Sequence, residues 1–272
     1  MFINILSKSL KLMKKNLNLT QLVFIFFIIM TLTTPVLATI KMNFKAIPFV
    51  LIFFVLLCAI FAGLSFAFKK ALDYETNPPK TDNNLGLSPL YFAEFFQGTG
   101  FYFKKFLLAG LIVVLLMVIF GFTYDFILSH YVVFPEKLLT VNLNEILMND
   151  GKMLEFVNSL SLDERMKIGK IALFTTGVFS LFGFITMLYP VALVSEEDNF
   201  LKSFWISIKA LFKNLPITIL TFLFFNICLT LASILNAGVG HNIIVSIIAI
   251  LLQCYLNVWY LLTLFVYYEE VK

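Results

Sequence analysis

Among the polar side chains of the apolar C-terminal stretch of this 272-residue chain, Ser246, Gln253, Asn257 and Tyr260 are spaced by 7, 4 and 3 residues. Those steps return to one side of an α-helix, so the four line a single face. Asn226 lies in the middle of the preceding apolar run. Amides in an apolar setting seek hydrogen-bonding partners, which permits two uses. They can bond neighbouring helices, at about 0.6 kcal/mol per bond in a membrane, or line a path for a polar substrate.

Other chemistry-bearing residues are sparse. Asp125 interrupts an apolar run, His130 lies at the end of the same run, and His241 lies between the last two runs. A separation of five does not put Asp125 and His130 on one helix face, so they read as a wetted helix end rather than a metal or proton site. Cys58, Cys228 and Cys254 fall inside apolar runs without a CxxC or His/Cys ligand spacing. They read as free thiols packing as small hydrophobes. No Ser-His-Asp set, Gly-rich phosphate loop or catalytic carboxylate pair can be placed, so no catalytic residue, metal or cofactor is expected.

The element that must position the polar face is a bilayer. Hydrophobic residues make up 60% of the chain and charged residues 13%, against about a quarter charged in soluble domains. From Asn214 to Tyr268 no side chain is charged, a run too long for one span of about 20 residues and right for two. Asn16 to Ile40, Ala46 to Phe68, Phe106 to Tyr124 and Ile171 to Ser195 are also free of charge. The pattern predicts an all-α integral membrane protein with six transmembrane helices near 19–39, 47–68, 106–131, 170–194, 215–236 and 243–267. The 33 Phe accompany many Lys, Asn and Ile, the mark of an AT-rich coding bias, and read as lipid-facing and packing material. The net charge of +4 is small, and no nucleic-acid partner is implied.

With the N-terminus inside, thirteen basic residues fall on the inner side and seven on the outer. The positive-inside rule then predicts a multi-pass protein of the cytoplasmic membrane with both termini inside. Residues 1–38 also read as a signal peptide, with early lysines, an apolar run, Pro35 and Ala38. Retention is expected, because the same segment recurs: SLKLMKKNLNLT at 9–20 and SIKALFKNLPIT at 207–218 share Ser, Lys, Lys, Asn, Leu and Thr at an offset of 198. A weaker copy runs from Tyr91 through Lys104 and Lys105 to Phe106. Each copy precedes two spans. A single membrane domain over 1–272 is therefore expected to hold three units, at about 1–75, 88–197 and 199–272, each an interfacial amphipathic helix plus a helical hairpin. The span count matches mitochondrial carriers, but their proline-acid signature is absent: Val36, Leu37 and Ala38 follow Pro35.

The amphipathic segments have legible faces. Leu201, Phe204, Trp205, Ile208, Leu211, Phe212 and Leu215 recur at helical spacing, with Lys202, Lys209 and Lys213 opposite. Phe2, Leu6, Leu10, Met13 and Leu17 similarly oppose Lys8, Lys11 and Lys15, and Lys104 and Lys105 close the middle copy. Such helices lie in the interface, where lysines meet anionic headgroups of the inner leaflet and Trp205 sits at the acyl boundary. Simple solvation of the lysines is the alternative. The outer insertion at 134–169 is expected to form two short helices. Within it, Asn149-Asp150-Gly151 reads as a turn and Ser161-Leu-Asp-Glu164 as a capping box opening a helix into the fourth span.

The stretch from Tyr189 through Glu196, Glu197, Lys202, Ser203 and Trp205 to Lys213-Asn214, with the terminal Tyr267-Tyr268-Glu269, resembles YciC-like bacterial membrane proteins. It also resembles the membrane domain fused to some glycerophosphodiester phosphodiesterases. The likeness covers about the last 120 residues. It implies architecture; no catalytic residue carries over. The leading functional expectation is a non-enzymatic polytopic protein acting through membrane lipids or protein partners, as an accessory or organising component. The alternative is a transporter of a lipid or small polar solute through a polar path near Gln253, Asn257 and Asn226. A cavity at mid-membrane depth favours the second and a solid core the first.

Overall fold

The computed structural model describes residues 1–39, 47–78, 88–131, 156, 158–196, 199–238 and 243–271. Among them run nine helices and no strand: α1 (Phe2–Lys15), α2 (Leu19–Thr39), α3 (Ile47–Thr76), α4 (Ser88–Tyr131), α5 (Leu162–Thr186), α6 (Tyr189–Ser195), α7 (Phe200–Lys213), α8 (Leu215–Gly238) and α9 (Ile243–Val271). Five segments are long and apolar enough to cross a membrane: Ile47–Thr76, Pro89–Ile127, Leu162–Ser195, Leu215–Ile234 and Val245–Val271. A sixth is added if α1 and α2, which meet at 88°, count as one bent span. The chain is an all-α, multi-pass membrane protein. Helices suit that solvent because each satisfies its backbone polar groups internally.

Helix junctions follow local chemistry. α1 ends at Asn16 (φ −119°, ψ 41°) and α7 at Asn214 (φ −132°, ψ 56°), neither in helical geometry. Asn16 Nδ2 donates to the carbonyl of Leu12 at 2.8 Å, the local bond by which Asn competes with helix continuation. The expected junction between residues 91–105 and the third span does not exist: α4 is one helix of 44 residues. Neither Asn nor Pro occurs between Tyr91 and Tyr131, so nothing there stops it. The fourth span departs in the opposite sense and breaks at Met187 and Leu188. Pro190, at the start of α6, lacks an N–H and would clash with the carbonyl four residues back.

At the head of α5 the capping box is formed. The Ser161 amide donates to Glu164 Oε2 at 2.8 Å, and the Glu164 amide to Ser161 Oγ at 3.3 Å. The Asn149-Asp150-Gly151 turn and most of the outer insertion lie outside the described residues. Asn199 caps α7 by accepting from the Lys202 amide at 2.9 Å, whereas Glu196 accepts from Tyr268 of α9 at 2.9 Å.

The chain divides into two compact units, Met1–Leu111 with Ile185–Lys272, and Ile112–Phe184. In the second unit Tyr124 stacks on Phe174 at 5.8 Å and Phe120 meets Phe182 edge-on at 5.6 Å. In the first, α9 is the hub and packs against α1, α2, α3, α6, α7 and α8. There α3 and α4 cross closely at Gly98, where an added Cβ would come within 2.4 Å of Phe66 Cβ. Thr99 Oγ1 lies 3.2 Å from the Ala59 carbonyl at the same crossing.

Gly98→Ala is therefore expected to lower stability by about 1–3 kcal/mol through overpacking. Gly100→Ala, with nothing within 4 Å of the new atom, should gain up to about 1 kcal/mol of helix propensity. Thermal unfolding of the two variants in detergent should move in opposite directions.

Candidate functional site

Gln253, Asn257 and Tyr260 recur at i, i+4 and i+7 on α9, a helix of 29 residues whose middle residue is Asn257. They form one wall of a cavity of about 440 Å³ inside the first unit. The remaining walls are almost wholly apolar. Val23, Phe26, Phe27 and Met30 come from α2, and Phe61, Leu64 and Phe68 from α3, with Ser65 between them. Leu261, Leu264 and Phe265 continue the α9 wall. At about 1.5 Å per residue, Gln253 to Phe265 is roughly 18 Å of helix, comparable with the roughly 15 Å of one hydrocarbon leaflet.

The fourth wall is the α5–α6 break, which supplies Met187, Pro190 and Val191. A helix interrupted at membrane depth is tolerated where it is buried in protein or lines a cavity, and this one lines the same cavity as the polar stripe. Despite the break, Leu162–Ser195 remains one segment long and apolar enough to cross the membrane, as the sequence leads one to expect. Pro190 was the signal that could have found the break. Phe68 and Phe265, both buried, stack at 6.5 Å and close one end of the space. Next to Phe68 in α3, Lys69 Nζ donates to the Val194 carbonyl at 2.8 Å, and Lys105 Nζ to that of Glu196 at 3.1 Å. These lysines satisfy carbonyls at and just beyond the end of α6 and complement its dipole.

The stripe has hydrogen-bonding capacity to spare. Asn257 Nδ2 donates within its own helix, to the Gln253 carbonyl at 2.8 Å. Gln253 Nε2 reaches Ser233 Oγ of α8 only at 3.5 Å. The Tyr260 hydroxyl finds Met187 Sδ at 3.7 Å, and a thioether is a weak acceptor. The two side-chain amide oxygens remain as acceptors beside these donors. Two members of the expected cluster stand apart. Asn226 is exposed and donates to Phe222 of its own helix at 2.8 Å, and Ser246 is half-buried and not part of the lining.

A second polar centre went unrecognised as a contact. Ser9, fully buried on α1, accepts from the Trp259 indole N–H at 3.0 Å and lies 2.8 Å from the Thr263 hydroxyl. It passes its own proton to the Leu6 carbonyl at 3.0 Å. Ile5, Ser9, Leu12 and Met13 are the buried face of α1, and of the apolar line Phe2, Leu6, Leu10, Met13 and Leu17 only Met13 is buried. On α7 the buried residues are Ser203, Ser207, Ala210 and Leu211, and Leu201, Trp205 and Phe212 are 58–60% exposed. Periodicity of large apolar residues missed these small-residue faces because serine scores as polar.

The interfacial lysines divide. Lys8 pairs with Glu270 at 3.7 Å and Lys15 with Glu75 at 3.9 Å; exposed pairs of this kind contribute about 0–1 kcal/mol. Lys105 and Lys213 cap carbonyls, the latter that of Val271. Lys209 lies over the Trp205 ring at 5.8 Å, beside the exposed apolar side of α7. Lys11, Lys104 and Lys202 are exposed. Asp125 is exposed, and His130 Nδ1 lies 2.9 Å from the Phe126 carbonyl; His241 lies outside the described residues. Among the described residues no group of three His, Cys, Asp or Glu side chains could hold a metal, and all three cysteines are free.

The two polar centres should differ in their hold on the fold. Ser9→Ala removes the partner of the half-buried indole N–H of Trp259 and should cost about 1–2 kcal/mol. Gln253→Leu with Asn257→Leu removes one long interhelical bond and should cost no more than about 1 kcal/mol. Denaturant titration of the purified variants measures both.

No protein-family model, no curated protein and no solved structure matches this chain.

Proposed function

We propose that this multi-pass membrane protein is non-enzymatic and acts on lipid, taking an amphiphile from the surrounding membrane into the cavity bounded by α2, α3, α9 and the α5–α6 break. The observation that carries the reading is the cavity itself: about 440 Å³, apolar on most sides, with Gln253, Asn257 and Tyr260 on one face. That volume falls within the roughly 300–1,000 Å³ typical of small-ligand sites. Asn257 is half way along α9, so a polar group held there is held at the depth where the bilayer offers no partner. This is the transporter reading rather than the accessory one, and its polar path runs by Gln253, Asn257, Tyr260 and Ser65, with Asn226 outside it. Both readings share lipid as the partner, and the exposed Leu201, Trp205 and Phe212 of α7 support an inner-interface helix beside anionic headgroups.

The finer architecture belongs to the same proposal. Three repeated units are supported by the matched ends of α1 and α7 at Asn16 and Asn214, and by Ser9 and Ser207, which donate to the carbonyls three residues before them at 3.0 and 2.7 Å. The uninterrupted α4 weakens the match for the middle unit. Likeness to the YciC-like proteins, placement in a bacterial cytoplasmic membrane and both termini inside rest on the sequence patterns.

Two measurements test this. Protein extracted in native membrane discs should carry a lipid-like molecule, detected by mass spectrometry, that is lost in a cavity-filling Ser65→Leu variant; equal occupancy in both sinks the cavity reading. Reporter fusions after Lys272 should be active on the cytoplasmic side, and an external reporter overturns the orientation.

A further inference from the structure

Resting on the reading of the cavity as a lipid chamber, we infer that its occupant is an uncharged amphiphile whose head carries a hydroxyl or carbonyl group, held against Gln253, Asn257 and Tyr260. Three observations converge. No residue lining the cavity is charged. The lysine nearest along the chain, Lys69, is turned to the Val194 carbonyl at 2.8 Å, beyond the stacked Phe68 and Phe265. An ionised carboxylate or phosphate drawn into this space would lose its water and gain no counter-charge, a penalty that fixed dipoles of two amides do not offset.

The hydrogen-bonding inventory narrows the head further. The donor groups at the stripe have only the 3.5 Å contact to Ser233, the 3.7 Å contact to a thioether and the intrahelical bond of Asn257. The amide oxygens supply acceptors. A hydroxyl, which both donates and accepts, can use each kind, and a carbonyl can use the donors. A purely apolar chain would leave them unused and costly.

The geometry fixes the direction in which such a molecule lies. All three stripe residues are on α9, and the walls facing them from α2 and α3 are phenylalanine, leucine, valine and methionine apart from Ser65. The head rests near the middle of α9 and the tail runs about 12 Å from there towards Phe265, at about 1.5 Å of rise per residue. This assigns Gln253 and Asn257 as specificity-determining residues.

Equilibrium binding of three probes with equal chain length, 1-monooleoylglycerol, oleate at pH 9 and 1-octadecene, to delipidated protein in detergent tests the assignment. The neutral glyceride should bind one per chain, and the anion and the headless chain each roughly tenfold or more weaker, the worth of one or two hydrogen bonds. Gln253→Leu with Asn257→Leu should reduce the glyceride to the level of octadecene and leave octadecene unchanged. Oleate binding as tightly as the glyceride, or a double variant that discriminates as the wild type does, overturns the uncharged-head inference while leaving the lipid chamber standing. If no probe binds the wild type, or if Ser65→Leu and Val191→Phe, which fill the cavity from α3 and from α6 and are checked for helicity and monodispersity, both bind like the wild type, the chamber reading itself falls.

Discussion

In hydrocarbon a polar atom has no water to turn to, so each donor and acceptor must find its partner inside the protein. That constraint organises what this chain does with its few polar residues. Thr33, Thr175 and Thr221 return their hydroxyl protons to carbonyls four residues back, at 2.7, 2.8 and 2.9 Å. The buried Thr218 hydroxyl meets that of Tyr267 at 2.5 Å and the Leu211 carbonyl at 3.0 Å, tying the α7–α8 turn to the end of α9. Where the backbone ladder is interrupted at Pro190, the break faces a cavity, and lysines from α3 and α4 satisfy carbonyls at the far end of α6.

The same constraint gives α9 two working faces. One carries Trp259 and Thr263, four residues apart, and both converge on Ser9 of α1. Trp259 is further held edge-on by Phe224 at 5.6 Å and Phe225 at 5.2 Å. This face is saturated and holds α1 across the bundle. The other carries Gln253, Asn257 and Tyr260, whose bonds are long, weak or confined to their own helix. A fold that satisfies one polar face and leaves the other under-used on the same helix separates structural glue from a surface suited to a visiting molecule.

The helix junctions show how much a single residue type decides. Asn16 and Asn214 stop α1 and α7, so that a second helix can set off in a new direction, 88° away in the case of α2. The corresponding stretch of α4 has a similar lysine pair at Lys104 and Lys105 but no Asn or Pro, and its helix runs on for 44 residues. Similar composition at the interface therefore ends a helix in two places and lets it run on in the third, by a local backbone cause.

Whatever depends on near neighbours in the chain was legible in the sequence: the apolar runs, the Ser161–Glu164 capping box, and the shared face of Gln253, Asn257 and Tyr260. Hydrogen bonds within a helix and the 3.6-residue period act over a few residues, so they can be read without knowing the fold. What those faces meet could not be read. Ser9 and Thr263 are 254 residues apart, and the burial of Ser203 and Ser207 depends on how close a neighbouring helix comes. Asn226 and Gln253, expected in one path, diverge because the rotation of α8 about its axis is set by packing against α9 rather than by its own pattern. The cavity is likewise a property of four surfaces that do not quite fill the space between them, and packing of that kind exists only once the helices have assembled.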